Sequence, residues 1–162
     1  MNVELTERLA RLLRKRSTAA LGTLRAGAPR VSMVHVALAA DGFVVHVSKL
    51  SAHTKDMLAD ARVSMLVAEA EGGGKSPLAL ARVTLQGTAR RIPSGSPDLP
   101  GFRAAYLARF PEAKQMFGFA DFSIFLIRPE SARFVAGFGE AHSLSAEAMA
   151  QLLQRLSSTM KR

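Results

Sequence analysis

The sequence has no cysteine and no tryptophan, and its aromatic content is one tyrosine beside nine phenylalanines. Without thiols there is no disulfide framework, no thiolate metal site and no thiol nucleophile. No apolar run approaches the roughly 18–20 residues that cross a bilayer, so a membrane span is not expected. Glu4, Glu7, Arg8 and Arg11 interrupt any apolar stretch near the start, which therefore does not read as a secretory signal. The cytoplasm is the expected location. There is no G-x-G-x-x-G, no P-loop and no G-x-S-x-G, so the usual dinucleotide, nucleotide and serine-hydrolase signatures are missing.

Acids are scarce too. Asp and Glu total 13 against 22 Lys and Arg, a formal charge of +9. The excess gathers over Arg8–Arg16 with Arg25 and Arg30, and again at Arg155, Lys161 and Arg162. Such a surplus suits nucleic acid, acidic lipid or an anionic small molecule, or is simply a solvated helix face. No aromatic residue is interleaved with the arginines, so a stacking platform for bases is not supported. What is present is ordinary for a globular chain: 162 residues, 48% hydrophobic and 22% charged, read as one domain over 1–162.

Glu4–Arg16 reads as an amphipathic helix, with Leu5, Leu9, Leu12 and Leu13 at helical spacing, acids first and bases last. From Thr18 the period shortens. Ala20–Leu24 is a short apolar run, Arg25–Pro29 supplies a turn, and Val31–Ala39 is a second strand. On that strand Val31, Met33 and His35 take one face and Ser32, Val34 and Val36 the other. Asp41-Gly42 is a strong hairpin signal leading into Phe43–Ser48. Thr54–Asp60 should be a short helix, Arg62–Ala68 a strand, and the Gly-rich stretch Glu71–Pro77 a loop. A long strand follows over Ala79–Ile92, in which Gly87 marks a bulge or bend. Phe102–Phe110 is helical, and Pro111 opens another turn of helix through Phe117. A last hairpin is expected from Asp121–Ile127 and Ala132–Ala136 around Arg128-Pro-Glu-Ser131, then a helix over 145–159. The implied fold is mainly β (α+β), a split β-barrel over 18–141 with about six to seven antiparallel strands and flanking helices, the first over 4–16.

Four stretches could carry chemistry. In Val47–Lys55, the hydroxyls of Ser48, Ser51 and Thr54 and the cations Lys55 and His53 gather at a helix N-terminus. That end is either a phosphate seat or a plain cap. In Pro29–Val34, Ser32 could meet the same anion while Met33 and Val34 offer backbone amides to a flat ring; an ordinary strand is the alternative. Arg82 sits mid-strand among apolar residues and is either outward or paired with an anion. In Phe134–His142, glycines around Phe138 allow close approach of something flat, or a tight turn. No histidine or carboxylate group shows metal-ligand spacing, and His142 is a ligand candidate only for haem iron.

The order of these segments carries a resemblance. Ala20-Leu-Gly-Thr-Leu24, Pro29-Arg-Val-Ser32, Val47–Thr54, Arg62-Val-Ser-Met-Leu66 and Ala81–Gly87 together resemble the pyridoxamine-phosphate-oxidase-like flavin-binding split barrel. The Leu50-Ser-x-His-Thr54 segment, Tyr106-Leu-x-Arg-Phe-Pro111, Asp121-Phe and Gly137-Phe-Gly-x-Ala141 resemble its haem-utilisation branch. The resemblance implies a homodimer with FMN at the interface. It places the phosphate on Ser32, Ser48, His53, Thr54, Lys55 and Arg82, the ring beside Met33, Val34 and Val47, and Phe138 with Gly139 over the pocket. Ser32 stands where true pyridoxamine-phosphate oxidases have arginine, and their C-terminal tryptophan is missing, so vitamin B6 oxidation is not implied. The expectation is an FMN-dependent oxidoreductase of unassigned substrate and unassigned catalytic residues. Haem binding or degradation on the same fold is the first alternative, and a basic nucleic-acid or membrane module the second.

Overall fold

The computed structural model describes residues 2–159; the basic tail residues Lys161 and Arg162 lie outside them. The chain runs α1 (Val3–Lys15), β1 (Thr18–Arg25), β2 (Ala28–His35), β3 (Ala37–Ala39), β4 (Gly42–Ser48), α2 (Ala52–Ala59) and β5 (Arg62–Ala68). A single 3-10 turn (Pro77–Ala79) precedes β6 (Arg82–Arg91), and α3 (Leu99–Arg109) leads into a second 3-10 segment, Pro111–Gly118. Then come β7 (Phe122–Gly137), β8 (Glu140–Ser145) and α4 (Ala146–Thr159).

All pairings are antiparallel, in the order β2-β1-β5-β6-β7-β4-β3, with β8 added against β7. The sheet curls into a split barrel, the fold class expected. Seven strands lie along the path of the sheet, with β8 added beside β7; the second expected strand breaks at Val36 into β2 and β3, whose partners are β1 and β4.

The expected final hairpin is not there. Residues 122–137 form one continuous strand, paired with β6 from Phe125 to Val135. Arg128-Pro-Glu-Ser131 looks like a turn, but the register shifts between Gln86 and Gly87, and Gly87 faces Pro129 across that bulge. Proline is tolerated in a strand at such a bulge, where no ladder donor is needed. Gly87 is required by the same close approach, since a Cβ there would stand 2.0 Å from the Arg128 carbonyl oxygen. One edge of β7 is shared: β4 takes Phe122–Ile127 and β8 takes Ser131–Gly137.

Two apolar clusters hold these parts. The first fills the barrel with alternate residues of β1, β4, β5, β6 and β7, closed by Leu5, Leu9, Leu12 and Leu13 of α1 and Met149, Leu152, Leu153 and Leu156 of α4. The second lies outside the barrel, where Phe102 and Tyr106 of α3 and Phe110 just after it cover Val44, Ile124 and Leu126. Helix α1 starts where Asn2 Oδ1 accepts the Leu5 N–H at 2.9 Å. At its other end Arg109, from α3, donates to the carbonyls of Leu13, Arg14 and Arg16, supplying partners the last turn lacks.

Candidate functional site

The structure brings five of the expected site residues together where β4 runs into α2. Ser51 is the N-cap residue of α2, yet its side chain makes no capping bond. Lys55 is exposed on the first turns. The His53 ring meets β2 through Nδ1, 3.1 Å from Ser32 Oγ. Burial holds the His53 pKa below its ordinary value, partly opposed by the charge of Asp56. The ring is therefore neutral near pH 7.

Two hydroxyls expected to face an anion are used inside the protein. Ser48 Oγ donates to Asp121 Oδ2 at 3.0 Å and accepts the Leu50 N–H at 3.1 Å. Thr54 is buried and its hydroxyl donates to the Ser48 carbonyl at 2.7 Å, tying the first turn of α2 to the end of β4. The side chains of Val34 and Val47, expected beside a ring, point into the barrel cluster, because strand alternation turns them inward. Met33 is the reverse: it is 72% exposed, on the outer face of edge strand β2 with Val31 at 75% and the exposed His35.

Beneath α2 lies a carboxylate that the sequence did not single out. Asp56 is buried, accepting from Thr23 Oγ1 at 3.0 Å and Arg25 Nε at 2.7 Å. Burial pushes its pKa up, but hydrogen bonds from Arg25 and Thr23, with the charges of Arg25 and Arg30, outweigh this and leave it below the ordinary range. Thr23 and Arg25 are two apart on β1 and so share one face of the sheet. That spacing was the readable signal for a strand-to-helix clamp.

The other expected residues sit elsewhere. Ser48 pairs with Phe122 and Arg82 with Val135, thirteen residues apart along β7. Arg82 donates to the Leu80 carbonyl at 3.1 Å. Phe138, 84% exposed, and Gly139, at φ +75°, form the β7–β8 turn. This turn is held by Arg8, which pairs with Glu140 at 3.1 Å and donates to the Ala136 carbonyl. His142, opposite Phe134, is half-buried with Nε2 sealed and without a partner. A single protomer therefore holds two groups of candidate residues, one at each end of β7. Among the described residues no cluster of three or more metal-ligating side chains occurs, and no helix is long and apolar enough to cross a membrane.

A family model described as pyridoxamine 5'-phosphate oxidase matches residues 5–136. The chain belongs to this family. Within the pyridoxamine 5'-phosphate oxidase family it falls in the haem-utilisation branch of the split barrels. It is 38% identical over 122 residues to the non-canonical heme oxygenase HOZ, chloroplastic, of Arabidopsis thaliana, which covers 75% of this chain but 36% of that protein. It is 29% identical over 135 residues to the heme oxygenase HutZ of Vibrio cholerae, covering 82% of this chain and 77% of that one. Among solved structures, a heme binding protein from Mycobacterium smegmatis superposes with a TM-score of 0.83 at 31% identity, over 93% of this chain and 62% of its own. The chain thus spans about a third of the Arabidopsis relative and under two thirds of the mycobacterial one.

Proposed function

We propose that this protein binds haem on the split barrel and serves haem breakdown. The observation that carries the reading is the similarity to HOZ at 38% identity across most of the barrel, joined by HutZ. Haem, when bound, supplies an iron centre for oxygen chemistry; the protein's part is to hold and orient the macrocycle and to limit water access.

The donor set can be judged from the four histidines. His46 is packed among aromatic rings, His53 is engaged by Ser32, and His142 has its Nε2 sealed. His35 differs. Its ring is exposed on the outer face of β2 beside exposed Val31 and Met33, with Phe110 at 5.3 Å between ring centroids. An exposed imidazole on an apolar face could hold the haem iron, so His35 is our candidate ahead of His142. From Val31 a groove of about 620 Å³ runs across β1 and β5, lined by Leu24 and Leu66 but also by Arg30, Arg62 and Glu130. Pairing of two copies over this face would cover the exposed side chains and form a shared cavity.

Hemin titration tests the reading. A Soret band that survives desalting and is shifted or lost in His35→Ala, but kept in His142→Ala, is the expected result. No retained band would sink it.

A second reading is FMN held at the start of α2, favoured by the uncommitted Ser51 hydroxyl, the exposed Lys55 and the Ser32–His53 pair at a helix N-terminus. Retained flavin absorbance after desalting, weakened by Lys55→Ala, would favour it over haem.

A further inference from the structure

A cavity of about 330 Å³ opens on the outer side of the barrel, between the ends of β4 and β6 and the face of α3. Three cations line it, Lys49, Arg91 and Arg103, and no carboxylate does. Among the described residues neither Arg91 nor Arg103 makes a salt bridge. Lys49 Nζ is held only by the Ala120 carbonyl, at 2.7 Å. Asp121, just before β7, is engaged by Ser48.

The inner wall is flat and aromatic. Phe117 stacks on the His46 ring at 3.9 Å between centroids with 4° between planes, and Arg103 lies over Phe117 at 4.9 Å. His46 Nδ1 is buried with no partner. Burial, then the charge of Arg103, brings the His46 pKa down to about 4, so the ring adds no charge near pH 7. Three cations without counter-ions around a concave site favour an anion, and the stacked wall favours one that carries a ring.

We propose that this cavity is a second binding site, separate from the α2 end and from the outer face of β2, and that it takes a small ring-bearing organic phosphate or carboxylate. The anionic group would lie between Arg91 and Arg103, and the ring against Phe117 and Phe122. The proposal is independent of which cofactor the barrel holds.

Phenyl phosphate, inorganic phosphate and phenol are the probes, titrated by calorimetry into the full chain, with the His46 ring nitrogens followed by NMR. One phenyl phosphate per chain is expected, at least tenfold tighter than inorganic phosphate, with phenol undetected and the His46 signals moving along the same isotherm. Arg91→Ala/Arg103→Ala, both at exposed positions, should weaken binding at least tenfold, while His53→Ala/Lys55→Ala leaves it unchanged. Binding that survives the arginine pair, that is lost with the α2 pair, or that leaves His46 unmoved overturns the assignment. Because the wild-type NMR readout needs no variant to fold, the test stands even if the arginine pair is unstable.

Discussion

The two faces of β4 belong to different apolar clusters. Phe43, Val45 and Val47 turn inward and join the barrel cluster. Val44 and His46 turn outward beneath α3, into a cluster built from Phe102, Tyr106 and Phe110, with cations at its edge. One side of the strand is dry and apolar; the other is aromatic, holds an imidazole and opens toward solvent. The lesson is that the inner face contributes stability and the outer face keeps room for chemistry.

Four measurements can break or sharpen that contrast. The largest effect should come from the inner face. Phe43→Ala, at a fully buried position, should destabilise by about 3–5 kcal/mol in urea titration; a loss similar to that of the outer-face changes would erase the distinction. Next is Arg109→Ala, which takes three hydrogen bonds from the end of α1 and should cost about 1.5–3 kcal/mol.

Third is His46→Phe. In the native protein this histidine stays neutral down to about pH 4, whereas the unfolded chain takes up its proton near the ordinary value of 6.5. The unfolded state thus binds more protons between those limits, and stability falls as pH drops from 6.5 toward 4. Since the ring is only half-buried, the contribution is about 1–2 kcal/mol, discounted for solvent screening. The phenylalanine variant should show a flatter stability profile over that window; an unchanged slope would mean that the ring is well hydrated. The smallest effect is expected for Arg103→Ala, about 0.5–1 kcal/mol from the exposed cation–π contact.

Much of this was readable from the residues. The leucine spacing of α1, the Asp41-Gly42 hairpin and strand β5 at Arg62–Ala68 all follow from period and turn chemistry. Continuous β7 was not, because Pro129 and its polar neighbours carry turn chemistry that a bulge within β7 itself, opposite Gly87, absorbs. Strand β8 was hidden as well: of its six residues Leu144 alone is buried, so it lacks an apolar alternation. At the candidate site the segment was legible and the atoms were not. Ser48 and Thr54 looked free because their partners, Asp121 and a backbone carbonyl, depend on tertiary packing. His46 read as one more strand residue until α3 folded over it.

The shared edge of β7 also governs how the molecule must be made. Phe43 finds Ile127, and Ser48 finds Phe122, across more than seventy intervening residues. During synthesis β4 therefore leaves the ribosome long before its partner exists. Until β7 emerges, the N-terminal strands have an open edge, and α4 has yet to seal the barrel core. Contacts this distant in sequence slow folding, since their loop must close before they contribute. The nascent chain is thus most prone to pairing with its neighbours late in translation, just before residue 122 appears.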